Sequence, residues 1–153
     1  MVKKVILIAG EICSGKDTIV RRDYSSKEYK QIDLGELVRE KFNTVDRIFD
    51  NNLEPYFIDR IKDIIKDNEH TYVITGLRQK TLAKKIVALF HEVKFIYLVV
   101  PRDILKNRYK KRADKKDAKL SFEDAIKGDQ SLGMDGLQSY LLTEVKCNFI
   151  KNY

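Results

Sequence analysis

Ala9-Gly10-Glu11-Ile12-Cys13-Ser14-Gly15-Lys16-Asp17-Thr18 decides the fold. An apolar run, Val5-Ile6-Leu7-Ile8, precedes it, and a helical pattern from about Lys16 to Tyr24 follows. Strand, glycine-bounded loop, lysine, hydroxyl and helix is the order that a phosphate cradle needs. Gly10 and Gly15 let the backbone curl until several N–H groups face one anion, and the helix adds its positive end. Lys16 brings a full charge to the outer phosphates. Asp17 follows the lysine directly and Thr18 comes next, so lysine and hydroxyl are spaced by one residue.

Outward from the loop, short apolar runs alternate with amphipathic ones. Val2 to Ala9 is β-branched and apolar on both faces, as in a strand buried inside a parallel sheet. Tyr29 to Asp33, Thr71 to Thr75, Val93 to Val100 and Cys147 to Lys151 give four more strands. Leu34 to Phe42 reads as helical, with Val45 or Ile48 continuing its apolar side. Leu53 to Lys66 is amphipathic through Phe57, Ile58, Ile61, Ile64 and Ile65, and Asp67 to His70 ends it. Gln79 to His91, Arg102 to about Arg112, a start at Ser121 capped by its own hydroxyl, and about Gly136 to Val145 complete the helices. The alternation predicts a three-layer α/β/α sandwich with five parallel strands and helices on both faces. Ligands then gather at the carboxyl ends of the strands.

The chain has 153 residues, the size of one domain with one sizeable core. We read residues 1–153 as a single unit, with no linker, repeat, signal peptide or membrane span. Cys13 and Cys147 form no framework and no metal spacing, which fits a reducing, cytoplasmic setting. The net charge is +7, and it is local: between Arg102 and Lys119 nine basic residues face three acidic ones. Such a segment beside a phosphate loop points to a phosphorylated small molecule at least as strongly as to nucleic acid.

Taken together, these segments resemble the P-loop nucleoside monophosphate kinases, in the wider group that includes adenylate kinase and dephospho-coenzyme A kinase. Gly-Glu-Ile-Cys-Ser-Gly-Lys-Asp-Thr resembles that family's phosphate loop, and Ser-Gly-Lys-Asp-Thr is similar to bacteriophage deoxynucleoside monophosphate kinases. Ile32 to Glu40 resembles the Gly-Asp-x-x-Arg acceptor segment, and Thr75-Gly76-Leu77-Arg78 the Asp-Gly-x-Arg segment. Arg108 to Arg112 resembles the arginines of the lid, and Cys147 to Asn152 the Ala-Asp-x-x-Ile-x-Asn ending.

The resemblance implies a kinase that uses ATP and Mg²⁺ on a (deoxy)nucleoside monophosphate. Gly10, Cys13, Ser14, Gly15, Lys16, Asp17 and Thr18 would hold ATP, with Thr18 reaching Mg²⁺ through water. Asp33, Arg39 and Arg78 would hold the acceptor, because a guanidinium fork meets two phosphate oxygens at once. Lys16, Arg78, Arg108 and Arg112 would neutralise the transferring group; Arg108 and Arg112, four residues apart, share a helix face. Acceptor-side helices would span about 34–68 and a short lid about 102–120. The plainer readings stand beside these: surface arginines, a turn aspartate and a solvated charged helix.

Two departures accompany the resemblance. Thr75 stands where the family carries an acidic residue, and Gly128-Asp129 where it carries Arg-Asp. Adenine would be held loosely, against Tyr153 or an arginine face. Other readings are a dephospho-coenzyme A kinase-like enzyme, a nucleotide-binding regulatory protein that keeps the fold without catalysis, and a kinase of nucleic-acid ends.

Overall fold

A computed structural model describes residues 4–66, 69–112 and 119–153. The elements run β1 (Lys4–Gly10), α1 (Lys16–Asp23), β2 (Tyr29–Asp33), α2 (Leu34–Phe42), α3 (Glu54–Ile64), β3 (Thr71–Thr75), α4 (Lys80–Leu89), β4 (Glu92–Val99), α5 (Arg102–Lys111), α6 (Phe122–Leu132), α7 (Met134–Thr143) and β5 (Cys147–Lys151). All strand pairs are parallel, in the order β2-β3-β1-β4-β5. Val2 and Lys3 at the expected strand start, Asp67 and Asn68 of the expected helix stop, and 113–118 of the expected lid lie outside the described residues.

β1 is central because both its faces are apolar. Val5, Leu7 and Ala9 face one core, shared with Leu37 of α2, Ile61 of α3, Leu82 and Ile86 of α4 and Leu137 of α7. Ile6 and Ile8 face the other, closed by Ile19 and Val20 of α1. Helices therefore cover both faces of the five-stranded sheet, giving the three-layer α/β/α sandwich. A third apolar cluster sits under the phosphate loop: Ile12 packs with Leu105 of α5 and with Phe122, Ala125 and Ile126 of α6. That cluster sets the loop's floor. Among the described residues, no helix is long and apolar enough to cross a membrane.

Several helix ends differ from the sequence reading or sharpen it. α2 stops at Phe42, where Asn43 turns left-handed at φ 50° and its N–H bonds back to the Arg39 and Glu40 carbonyls. Val45 is therefore exposed rather than part of an apolar stripe. α3 ends at Ile64, two residues short of Lys66. α7 begins at Met134, because Gly133 closes α6 and opens α7 in one residue. Two caps form as the residue types dictate: Asp33 accepts the Gly35 N–H at 2.9 Å, and Ser121 Oγ accepts the Asp124 N–H at 3.0 Å.

Candidate active site

The loop from Gly10 to Lys16 is held from behind. Cys13 lies at φ 63° and Gly15 at φ 95°, so the backbone reverses through two left-handed positions. Arg108 donates from Nη1 to the Cys13 carbonyl at 3.2 Å and from Nη2 to the Asn152 carbonyl at 2.5 Å. Asn152 Nδ2 donates to the Ser14 carbonyl at 2.7 Å. The Glu11 carbonyl accepts from the Ser14 N–H at 3.1 Å. With these carbonyls engaged, the loop does not turn acceptor oxygens toward an incoming anion.

Two spaces test the fit of a nucleotide's phosphates. A β-carbon on Gly10 would meet Ser14 Oγ at 2.4 Å, and one on Gly15 would meet Asn152 Nδ2 at 2.4 Å. Any side chain at either place would break the curl. Ser14 Oγ is buried and has no hydrogen-bond partner among the described residues, a donor available to a ligand inside the loop. Loop, helix start and Lys16 thus fit a polyphosphate. Thr18 is exposed, outside the cleft lining, and Arg21 Nη2 reaches its hydroxyl at 3.5 Å.

In front of the loop lies an open cleft. Lys16 and Asp17 form one side, with Asp33, Arg39, Arg47, Arg78 and Arg112 around it. Val38, Phe49, Leu53, Phe57 and Leu82 give it an apolar wall. Burial, then Arg78, then Arg47 lower the Lys16 pKa from its ordinary value to about 8, against the pull of Asp33 and Asp17. An anion among these groups favours the charged form of the lysine and relieves the repulsion.

Each expected residue has a definite place. Arg39 pairs with Glu36 and remains in the cleft wall. Arg78 donates from Nε to Asp129 at 2.5 Å and from Nη1 to the Gly76 carbonyl at 2.9 Å. Arg112 lies in the cleft lining, with Nη1 3.0 Å from Cys13 Sγ. Arg108 is placed otherwise than expected: it braces the loop and is not among the cleft-lining residues. One helical turn from Arg112, it reaches the back of the loop rather than its mouth.

Sequence reasoning missed three residues. Asp129 is 1 % exposed and ties the Ile12 N–H, at 3.2 Å, to Arg78. In the sequence it stands only as half of a motif with its arginine missing. Asn152 clamps the loop across most of the chain's length, and only the tail resemblance hints at it. Arg47 lies in an aperiodic polar stretch with no signal of its own. Thr75 is buried, and its hydroxyl accepts from Gln31 Nε2 at 3.0 Å. Its register partner on the next strand is Asp33, so a carboxylate does stand at that level of the sheet.

Neither a family model nor a curated protein matches the sequence. Solved structures do match the fold. A shikimate kinase from Bacteroides thetaiotaomicron superposes with TM-score 0.62 at 16 % identity, covering 97 % of this chain and 87 % of its own. A gluconokinase from Sinorhizobium meliloti 1021 gives 0.63 at 12 %, covering 97 % and 82 %. The fold is the P-loop α/β/α sandwich of these kinases. A chain of the Pnkp1/Rnl/Hen1 RNA repair complex gives 0.61 at 17 %, over 90 % of this chain and 46 % of its own, so this chain spans about half of it.

Proposed function

We propose that the chain is an ATP-dependent phosphotransferase whose acceptor is a nucleotide, in first place a (deoxy)nucleoside monophosphate. One observation carries the reading: Arg39, Arg47, Arg78 and Arg112 line the same cleft as Lys16, backed by an apolar wall. A phosphate monoester needs the first feature and a flat base the second.

In this reading Gly10 to Lys16 hold the ATP phosphates, with Lys16 and the Ser14 hydroxyl contacting them. Arg39 and Arg78 hold the acceptor phosphate, and Val38, Leu53, Phe57 and Leu82 flank its base. The bond from the γ-phosphorus to the bridging oxygen breaks, and one to an acceptor phosphate oxygen forms. ADP leaves with the electron pair. The acceptor oxygen is already anionic, so no proton has to be removed. Lys16 and Arg112 neutralise charge on the transferring group. Mg²⁺ would be held by one or two protein carboxylates and would supply positive charge against the phosphates; Asp17, Asp33 and Asp50 are the carboxylates that line the cleft.

Asp33 favours a second reading. A carboxylate that lines the same cleft as Lys16 would take a proton from a hydroxyl acceptor, as on dephospho-coenzyme A. Release of ADP measured with Mg-ATP, a panel of nucleoside monophosphates and dephospho-coenzyme A separates the readings. Stimulation by a monophosphate supports the first and by dephospho-coenzyme A alone the second. Tight ATP binding with no acceptor-stimulated release overturns both and leaves a nucleotide-binding regulator.

A further inference from the structure

Residues 43–53, between α2 and α3, carry no helix or strand, yet they wall the cleft through Arg47, Ile48, Phe49 and Asp50. Local bonds close both ends: the Asp46 N–H donates to Thr44 Oγ1 at 3.1 Å, and the Asn52 N–H to Asp50 Oδ1 at 2.9 Å. Side chains from two other elements hold its flanks. Gln79 Nε2 reaches the Asn51 carbonyl at 3.4 Å, and Lys119 Nζ lies 3.6 Å from Asp46.

Its middle is seated by one ring. A β-carbon on the buried Gly128 of α6 would stand 2.4 Å from Phe49 Cζ, with the two flanking ring carbons at 2.5 and 2.6 Å. The tip of the ring occupies the space that any side chain at 128 would fill. Arg47 lies two residues before this anchor, in the cleft and close enough to Lys16 for its charge to act on the lysine. Arg39 and Arg78 reach the cleft braced by Glu36 and by the buried Asp129. Arg47 is carried into the cleft by this irregular segment.

We propose that Arg47 is a further catalytic residue, contacting the phosphates opposite Lys16, and that Phe49 seated on Gly128 is the positioning pair that delivers it. The inference rests on the phosphoryl-transfer reading above. Charge that develops on the transferring oxygens is stabilised most by donors already in place, because none of their organisation is left to the reaction itself. A glycine at 128 is what lets the segment lie down on α6.

The test uses the full chain with Arg47→Ala, Arg47→Lys, Gly128→Ala, the Arg47→Ala/Gly128→Ala double variant and the Gly128→Ala/Phe49→Leu double variant. Circular dichroism melts confirm that each is folded. Arg47→Ala is expected to lower kcat/KM by on the order of 10²–10³, as for loss of one charge-stabilising donor, with partial recovery in Arg47→Lys. Gly128→Ala is expected to lose kcat comparably, but to add no more than about twofold on the Arg47→Ala background, because both changes remove the same contact. Shortening the ring with Phe49→Leu is expected to return part of the Gly128→Ala loss. The inference is overturned if Arg47→Ala leaves kcat/KM within about twofold, or if Gly128→Ala costs as much without Arg47 as with it. Calorimetric binding of ATP in EDTA separates this from failure of the acceptor assignment. If no acceptor is turned over, Arg47→Ala weakening ATP by about tenfold, the ~1.4 kcal/mol of one charged hydrogen bond, still supports the inference, and unchanged ATP affinity overturns it.

Discussion

Lys16 and Asp129 carry the cleft's electrostatics at the scale of single residues. Lys16 has a folded pKa of about 8 against an ordinary 10.5. Below pH 8 the lysine is charged in both states, and the folded chain bears the full penalty. Between pH 8 and 10.5 the unfolded chain binds the extra proton, so stability rises with pH through that window. The stability difference between the parent chain and Lys16→Met is therefore expected to shift toward the parent by up to about 3 kcal/mol from pH 7 to pH 10.5. Urea melts across that range, without nucleotide, measure it; a flat difference would show that Lys16 is solvated. Using the difference removes the opposing contribution of Cys147, whose thiol burial pushes up to about 11. Asp129 is a buried carboxylate whose removal takes the counter-charge from Arg78 and the acceptor from the Ile12 N–H. Asp129→Ala is expected to destabilise by about 3–5 kcal/mol, and Asp129→Asn by less, since an amide oxygen still accepts one of the two bonds. Denaturant midpoints for the two variants check the order.

Among the elements, those with a strong period were legible and the connections were not. β3 and β4 lie within a residue or two of where their apolar, β-branched runs put them, and β1 ends within one, because burial leaves that pattern in the sequence; the mostly exposed edge strands β2 and β5 also form where they were expected. α2 spans the expected Leu34–Phe42, but its apolar side was expected to continue through Val45 or Ile48, whereas the left-handed Asn43 ends the helix and sends Val45 to solvent. That early end creates the segment bearing Arg47 and Phe49, which no period marks. At the start of the same helix Asp33 caps the Gly35 N–H while facing the cleft. Asp33→Ala is expected to cost about 0.5–2 kcal/mol through the lost cap alone. Asp33→Ser keeps a capping oxygen without a carboxylate. Recovery of stability without recovery of turnover in Asp33→Ser assigns the carboxylate to chemistry; recovery of both assigns Asp33 to the cap. Thermal melts and ADP release on the same preparations decide it.

The molecule as a whole joins its first loop to its last strand. β5 lies at the sheet edge beside β4, and Asn152, next after it, donates to the Ser14 carbonyl while its own N–H bonds to the Val99 carbonyl. Arg108 comes from α5 to the same loop and to the Asn152 carbonyl. The arginine pattern of the basic helix was visible in the sequence, but the partners of Arg108 were not, since contacts across 95 and 44 positions leave no local trace. A charged face four residues wide therefore read as one lid, whereas the fold divides it between loop support at Arg108 and the cleft at Arg112. Neither Asn152 nor Arg108 lines the cleft, so their loss acts on ATP through loop shape. Asn152→Ala and Arg108→Ala are each expected to weaken ATP by about tenfold, the loss of one well-placed hydrogen bond of ~1.4 kcal/mol. The double variant is expected to fall short of the product of the two, because both hold neighbouring carbonyls of one turn. ATP titrations by calorimetry, with the ATP-induced rise in melting temperature as a second readout, measure the coupling. Full additivity would mean that the two contacts support ATP binding independently rather than through one shared turn of the loop.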